Sequence, residues 1–285
     1  MLPDSTNNNN PNSDTNILST ATEVLHTKIL PLIMSAREEF YVINKDFAVT
    51  ANQANYVIPT RSSAMLLREV QLTKGDRVHN LPIIPPEGQT NTSAGEPIGY
   101  FLQHNDIMLY PTPSTTTGTL KVRYFIRPNT LAKVADCTQI TAVGATTLTF
   151  ASIPSTWSTT DTFDFISKDS PHEQHAIDQV SSSVLTTTME FASIPDSVVV
   201  GDWVSLSDTT PIPQLPIEFM ALLAIGTAEI VLWSLGDREG AATLKGEYRE
   251  VAQGLLGMIT PRNQGEVEVI NNIEWSQGTY NDIGY

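Results

Sequence analysis

The spacing of apolar residues changes along the chain, and each change predicts a different kind of structure. Residues 17–39 carry apolar side chains at roughly helical intervals, and Pro31 is expected to kink or divide that helix. Residues 36–39 are expected to form its last turn. Between residues 40 and 130 the spacing of apolar residues falls to two, in short runs bounded by Pro, Gly and Asn. This part of the sequence predicts a β-domain.

The clearest strand of the β-domain, Leu120–Arg127, carries the densest group of basic residues in the sequence. Alternate residues are apolar and are expected to face a core. Lys121, Arg123 and Arg127 fall on the opposite face, which makes them a candidate contact face for an acidic partner or for DNA phosphate. A solvated face balanced by nearby carboxylates is the favoured alternative, because strand faces of mixed sign are common.

Residues 131–208 contain an internal repeat with a period of roughly 40 residues. The matching segments are Gln139–Val143 with Gln179–Ser183, Thr149–Pro154 with Glu190–Pro195, and Asp164–Ser167 with Asp202–Ser205. Each copy is long enough for three or four short strands, but two copies are too few for a solenoid. We therefore predict a duplicated β-module that forms one small sandwich or barrel, inserted into the main body.

Helical spacing returns in residues 209–262, which predict a helical hairpin. Ile217–Leu235 is apolar on nearly all sides, which predicts a buried helix. It approaches the length needed to span a bilayer, but it contains Glu218 and Glu229 and has no flanking basic cluster, so no membrane is expected. Arg238–Ile259 follows after a very short turn, so the two helices should pack antiparallel. Its apolar seam comprises Ala241, Leu244, Tyr248, Val251, Leu255 and Met258.

The two ends of the chain are predicted to extend away from this body. Residues 1–16 form a polar arm rich in Asn, Ser and Asp. Residues 263–285 form an acidic, polar tail without a helical or strand period, which Pro261 separates from the last helix. Disordered tails seldom contain several aromatic residues, so we expect this tail to dock into a partner. Its predicted anchors are Ile273, Trp275, Tyr280 and Tyr285.

Charge and cysteine content narrow the classes of function. The chain has 31 Asp and Glu residues against 16 Lys and Arg residues, for a net charge of −15. This balance disfavours broad binding to a nucleic-acid backbone, although a channel with neutral or acidic walls would let DNA pass without holding it. The single cysteine, Cys137, allows no internal disulfide and no thiolate metal site.

No catalytic motif emerges from the sequence. It has no nucleophile elbow, no phosphate-binding loop and no dinucleotide-binding glycine pattern. His172 and His175 would share a metal if they lay on a helix, with Asp164 or Asp169 as a third ligand. A polar loop after Pro171 is the favoured interpretation, because no helical context surrounds them. We therefore expect no enzyme activity, no cofactor and no bound metal.

Nine short segments form an ordered series between residues 36 and 262. They are Arg37–Val42, Tyr56–Arg61, Leu67–Val70, Ile107–Pro113, Tyr124–Asn129, Gly201–Val204, Thr210–Pro216, Leu235–Gly240 and Pro261–Arg262. In this order they resemble the head-to-tail adaptor (connector) proteins that lie near the portal of tailed bacteriophages. None of the segments is a chemical signature, so the resemblance rests on their order.

The resemblance implies a structural protein of the virion neck, assembled in the host cytoplasm. It implies a homo-oligomeric ring of about twelve subunits that joins the portal to the tail, lines the DNA channel and clamps the portal with the C-terminal tail. Its partners would be further copies of the chain, the portal protein and the next neck or tail ring, with genomic DNA passing without tight binding. The duplicated module departs from the smallest adaptors, so a ring in contact with the portal and one a layer below both stay open.

Two alternatives use the same features differently. A receptor- or carbohydrate-binding β-protein of the virion surface would use the duplicated module as its binding head, with Trp157 and Trp203 as stacking residues. A tail terminator or tail-tube subunit would lie in another layer of the virion. In every case the predicted fold is α+β, with a helical body made of the N-terminal helix and the C-terminal hairpin. The predicted segments are 1–16, 17–39, 40–130, 131–208, 209–262 and 263–285.

Overall fold

The computed structural model describes residues 13–85, 93–116, 118–169 and 180–259, and these residues form a mixed α+β structure. Most of the predicted N-terminal arm and the whole of the predicted C-terminal tail lie outside the described residues. The helices are α1 (Asp14–Val24), α2 (Leu30–Ala36), α3 (Met220–Leu235) and α4 (Arg238–Ile259). They enclose one apolar core, the open sheets a second and a closed barrel a third.

The first helix starts three residues earlier than the sequence pattern predicts. The Ser13 side chain accepts a hydrogen bond from the backbone N–H of Asn16 at 3.3 Å, which caps a helix beginning at Asp14. The apolar spacing did not reveal this start, because the first turn is polar. The predicted boundary at residue 17 was therefore wrong, and the last residues assigned to the arm belong to α1.

Pro31 lies where the first helix divides. A single π-helical turn, Leu25–Ile29, joins α1 to α2, and the N–H of Leu30 donates to the Leu25 carbonyl. Pro31 then falls in the first turn of α2, where its missing N–H leaves no bond unmade. The predicted last turn at residues 36–39 was wrong, because α2 ends at Ala36 and a separate 3-10 turn follows at Glu38–Tyr41.

The β-domain consists of two open sheets. Its strands are β1 (Val42–Ala48), β2 (Asn55–Val57), β3 (Ser62–Lys74), β4 (Arg77–Asn80), β5 (Gly99–Gln103), β6 (Asp106–Tyr110) and β7 (Thr119–Ile126). One sheet has the order β1-β7-β3-β4 and the other the order β2-β6-β5, with antiparallel pairs throughout. The predicted apolar face of β7 is confirmed, because Leu120, Val122, Tyr124 and Ile126 are all buried.

The duplicated region forms a closed antiparallel barrel of six strands. Short parallel strands β8 (Thr130–Leu131) and β15 (Thr209–Thr210) pair at its entry and exit. The barrel strands are β9 (Thr138–Val143), β10 (Thr147–Phe150), β11 (Thr162–Ile166), β12 (Val180–Leu185), β13 (Thr188–Phe191) and β14 (Trp203–Leu206). Their closed order is β10-β13-β12-β11-β14-β9.

The pairing within the barrel follows the sequence repeat. If β9, β10 and β11 of the first copy are exchanged with β12, β13 and β14 of the second, every pair of neighbouring strands in the barrel is reproduced. The first strand of each copy also has a β-bulge at a corresponding place. The bulge of β9 lies at Thr141 against β10, and that of β12 lies at Ser183 against β13. The two copies therefore build one barrel with an approximate internal two-fold arrangement.

One pair of segments in the predicted repeat is shifted. Asp164 lies in the middle of β11, whereas Asp202 precedes β14, so the two aspartates are not equivalent. Equivalent strands start 41 or 42 positions apart, as Thr162 and Trp203 do at 41, while the two aspartates are 38 apart. Asp202 accepts backbone hydrogen bonds from Lys168 and Val199 within its own module, and Asp164 has a different role.

Helices α3 and α4 pack as the predicted antiparallel hairpin, with Gly236 in the left-handed conformation (φ 84°) ending α3. Gly226 of α3 lies close to both α1 and α4, since a Cβ atom there would lie 2.8 Å from Val24 Cγ1 and 3.0 Å from the Tyr248 ring. The seam of α4 is confirmed at Ala241 and Leu255, which are buried. It was wrong at Met258, which is 76% exposed in the last turn.

The prediction that Ile217–Leu235 forms a buried helix was correct for one side of the helix and wrong for the other. A 3-10 turn at Ile217–Phe219 leads into α3, and among the described residues α1, the π-helical turn and α4 cover the helix on one side, so part of its surface stays open. By length and composition this segment is the one helix in the described residues that would suffice to cross a membrane, and a soluble core helix passes the same test. The buried Glu229 on its inner side bonds Lys28 at 2.8 Å.

Candidate interaction surfaces

The predicted tail anchors Ile273, Trp275, Tyr280 and Tyr285 lie outside the described residues. Their docking therefore stays a prediction. The last described residue is Ile259 at the end of α4.

The three residues of the predicted basic face have different surroundings in the structure. Lys121 lies across from Asp46 on β1, and Arg123 Nη1 lies 3.5 Å from Glu69 Oε2 on β3. These two residues have acidic neighbours, as the alternative interpretation expected. Arg127 is exposed just beyond β7, and its guanidinium has no ion pair within the described ranges. Arg127 therefore remains the candidate for a contact with a partner.

The tryptophans assigned to a carbohydrate site do not form a stacking platform. Trp157 is buried in the barrel core, with its ring 4.8 Å from that of Phe163. Trp203 is half-buried in β14, opposite Ile166 on β11. Core packing accounts for Trp157, and we found no second exposed aromatic residue beside Trp203 in the described parts of the barrel.

The candidate metal ligands are not brought together. His172 and His175 lie outside the described residues. Asp164 is fully buried in the barrel wall, and Asp169 is exposed and paired with its neighbour Lys168. The residues that the structure describes contain no cluster of metal-ligating side chains.

The three apolar cores meet at a buried polar junction that sequence reasoning missed. Arg61, just before β3, donates from Nη1 to Asp164 Oδ2 at 2.9 Å, and its Nε lies 3.2 Å from Asp208 Oδ1. Its Nη2 donates to the Arg127 carbonyl at 3.1 Å. The ion pair joins the β-domain to the barrel across 103 positions of sequence. Burial raises the pKa of Asp164, although the Arg61 guanidinium opposes the rise.

The junction continues into the helical body through amide side chains. Asn129 donates from Nδ2 to Asp164 Oδ2 at 3.0 Å, and its backbone N–H donates to Gln214 Oε1 at 2.6 Å. The Tyr41 hydroxyl donates to the Gln214 carbonyl at 2.9 Å. Burial raises the pKa of Tyr41 well above its usual value, so this hydroxyl remains a donor. The junction therefore holds the sheet, barrel and helices in one arrangement.

His26 connects α1 to the same region. Its Nε2 lies 2.9 Å from the Pro128 carbonyl, and a carbonyl oxygen only accepts, so Nε2 carries the proton. Burial lowers the pKa of His26 below 6.5, and the nearby Arg127 and Arg61 act in the same direction. The folded protein therefore binds a proton at His26 less readily than the unfolded chain.

We expect the folded protein to lose stability as the pH falls through about 6.5, because the unfolded chain gains a proton that folded His26 resists. His26→Gln retains a side-chain donor for Pro128 but does not titrate. Tm measured between pH 7.5 and 5.5 should fall less steeply in the variant than in the parent. Equal slopes would show that His26 does not set this dependence.

An apolar groove lies along the uncovered side of the helical body. It has a volume of about 560 Å³ between α1 and α3. Its lining residues are Ile17, Ala21, Pro213, Met220, Leu223, Ala224, Thr227, Ala228 and Val231. On α3 the apolar residues of this face repeat at spacings of three and four from Met220 to Leu235, which is the pattern of a helix seam that packs against another surface.

A second apolar feature projects from the start of β3. Ser62 pairs with Ile126 and Leu67 pairs with Tyr124, so residues 63–66 loop out of the sheet between two nearby positions of β7. We call residues 63–66 the projection. Its Met65 and Leu66 side chains are 49% and 47% exposed.

Comparison with known proteins identifies the kind of protein that carries these surfaces. A comparison with curated protein sequences finds no match. The model of the SU10 adaptor protein family matches residues 33–176, which is half of the chain and extends from α2 into the barrel. This family consists of structural components at the phage head–tail junction. The resemblance found in the sequence is thereby confirmed, and the chain belongs to the SU10 adaptor protein family of phage head-to-tail adaptors.

Proposed function

We propose that the chain forms a ring of about twelve copies in the virion neck, joins the portal to the tail and lines the DNA channel without catalysing a reaction. The observation that supports a ring is the apolar face of α3, which the described residues of the subunit leave partly uncovered. Soluble monomers rarely expose a continuous apolar surface of this kind unless a partner covers it.

The charge of the chain supports a channel that does not hold DNA. With a net charge of −15, and with two of the three basic residues on the outer face of β7 beside carboxylates, the subunit offers few sites for phosphate. Negative walls repel the DNA backbone and neutral walls do not attract it, so DNA can slide through the channel. Electron microscopy of the purified protein with and without portal tests the proposal. Rings stacked on the portal support the proposal, whereas a particle of three or four subunits that does not bind the portal contradicts it.

Deleting residues 263–285 is expected to abolish attachment to the neighbouring ring while leaving Tm almost unchanged. The described body forms its three cores without the tail, whereas aromatic anchors at the centre of an interface each contribute about 2 kcal/mol or more. Co-sedimentation with portal or with DNA-filled heads measures attachment.

A matched control replaces only Trp275, Tyr280 and Tyr285 by Ser in the full-length chain. This variant should lose attachment as the deletion does, because it removes the anchors and keeps the length of the tail. Binding of either variant at the parental level would locate the contact on the helical body instead. Failure of the deleted protein to fold would mean that the tail belongs to the core.

A further inference from the structure

We propose that the projection of one subunit inserts Met65 and Leu66 into the groove between α1 and α3 of a second copy of this chain. The inference rests on the proposed ring, and it names the two surfaces that would build the contact between neighbouring subunits. Such a contact is heterologous, because one surface meets a different surface of the next copy.

The projection is unfavourable in an isolated subunit for two reasons. Ala64 and Met65 have φ values of 50° and 57°, in the left-handed region that residues other than Gly rarely occupy. Such conformations destabilise the backbone and persist where the surrounding structure holds them in place. The strained turn also directs two large apolar side chains into solvent. Burial of both side chains in a partner would offset these costs.

The groove has the chemistry that such a projection requires. Its lining is almost entirely hydrocarbon, and the small side chains of Ala21, Ala224 and Ala228 leave open space between the two helices. A volume of about 560 Å³ accommodates two side chains of the size of Met and Leu. Both surfaces are therefore apolar, and one is convex where the other is concave.

The two surfaces lie too far apart to meet within one subunit. Arg68 Nε lies 2.8 Å from Glu39 Oε1, which puts the projection beside the C-terminal end of the first helix. The groove lies beside Ile17 and Ala21 near the N-terminal end of that helix. An uninterrupted α-helix from Ile17 to Ala36 would span about 28 Å, and the π-helical turn Leu25–Ile29 shortens this only slightly. A projection therefore reaches a groove only in another copy, and repeating the contact generates a ring or a filament.

Charge fits the same pairing. The Arg127 backbone N–H donates to the Arg61 carbonyl at 2.8 Å, so the exposed Arg127 lies next to the projection. Glu218 is exposed two residues before Met220, at one end of the groove. Docking would bring a cation towards a carboxylate at the rim, where opposite charges favour encounter and register more than affinity.

Disulfide cross-linking tests the contact in the full-length protein. Cys137→Ala removes the native thiol, and Met65→Cys with Ala224→Cys supplies one cysteine on each surface. On assembly with portal and mild oxidation, non-reducing electrophoresis should show a ladder of covalent dimers, trimers and larger species. Val78→Cys with Ala224→Cys is the matched control, because Val78 is apolar and 58% exposed on β4. It should give no ladder.

The outcomes separate this contact from the neck function. Rings on the portal with a ladder support both, whereas rings without a ladder overturn the contact and leave the neck function standing. A ladder without attachment to the portal supports the contact and contradicts the neck function. The absence of both rings and ladder overturns both.

A second variant removes the projection without cross-linking. Met65→Gly relieves the left-handed conformation and deletes the side chain, so the monomer should keep or slightly raise its Tm. The association constant measured by sedimentation should fall at least tenfold. Val78→Gly is the control and should leave association unchanged. Unchanged association of Met65→Gly would overturn the inference.

Discussion

Replacing Asp164 by Ala is expected to lower the free energy of unfolding by about 3–5 kcal/mol, because it removes the buried carboxylate that pairs with Arg61 and leaves only the half-exposed Asp208 beside that buried cation. The Arg61 side chain is 3% exposed, and water cannot replace the lost carboxylate. Asp164 Oδ2 also accepts hydrogen bonds from Asn129 and from the Asp208 backbone, so the substitution leaves two further donors unpaired. Urea denaturation followed by circular dichroism measures the loss.

Arg68→Ala is the matched control for that substitution. It also breaks an Arg–carboxylate pair, at 2.8 Å from Glu39, but both side chains are about half exposed. Exposed pairs contribute little to stability because water screens both charges, so the control should stay close to the parent. Similar losses in the two variants would mean that burial does not determine the value of the Asp164 pair.

Replacing Phe163 by Ala is expected to cost about 3–5 kcal/mol, because it leaves a cavity in the centre of the barrel. Phe163 is fully buried, and its ring centroid lies 4.8 Å from that of Trp157 and 6.4 Å from that of Phe191. Equilibrium unfolding followed by tryptophan fluorescence reports the change, because Trp157 loses its nearest aromatic neighbour.

Val143→Ala provides the comparison within the same barrel. Val143 is 40% exposed at the end of β9, so its truncation removes little buried area and should cost less than about 1 kcal/mol. A loss at Phe163 no larger than the loss at Val143 would contradict the assignment of Phe163 to a tightly packed core. Movement of neighbouring rings into the space would lower the cost but should not abolish it.

The local pattern of apolar residues was sufficient to predict a buried face where the residues at one regular spacing all pack on the same core. Leu120, Val122, Tyr124 and Ile126 alternate because one face of β7 lies on a core, so the face was readable without any partner. The seam of α4 and the repeat of the barrel were readable for the same reason, since packing imposes spacing on the residues that make it. Where the period ends, as at Met258 or at the polar first turn of α1, the prediction failed.

The family could also be inferred from the sequence, because the order of several short segments is informative even though none of them is a chemical motif. The family model confirms that inference over residues 33–176. The tail anchors and the ring stay predictions, because both depend on partners whose surfaces the sequence of one chain does not contain.

Only the tertiary structure decided which residues meet across long separations. Nothing in the spacing of Arg61 and Asp164 indicates an ion pair, because 103 positions separate them and one precedes a strand of the β-domain while the other lies in the barrel. The open face of α3 was equally unreadable, since its composition is that of a buried helix and only the number of neighbouring elements left it exposed. The sequence by itself determined the periods, the repeat and the class of protein. The tertiary structure decided the polar junction, the groove and the projection, because these depend on which surfaces remain after the chain has packed on itself.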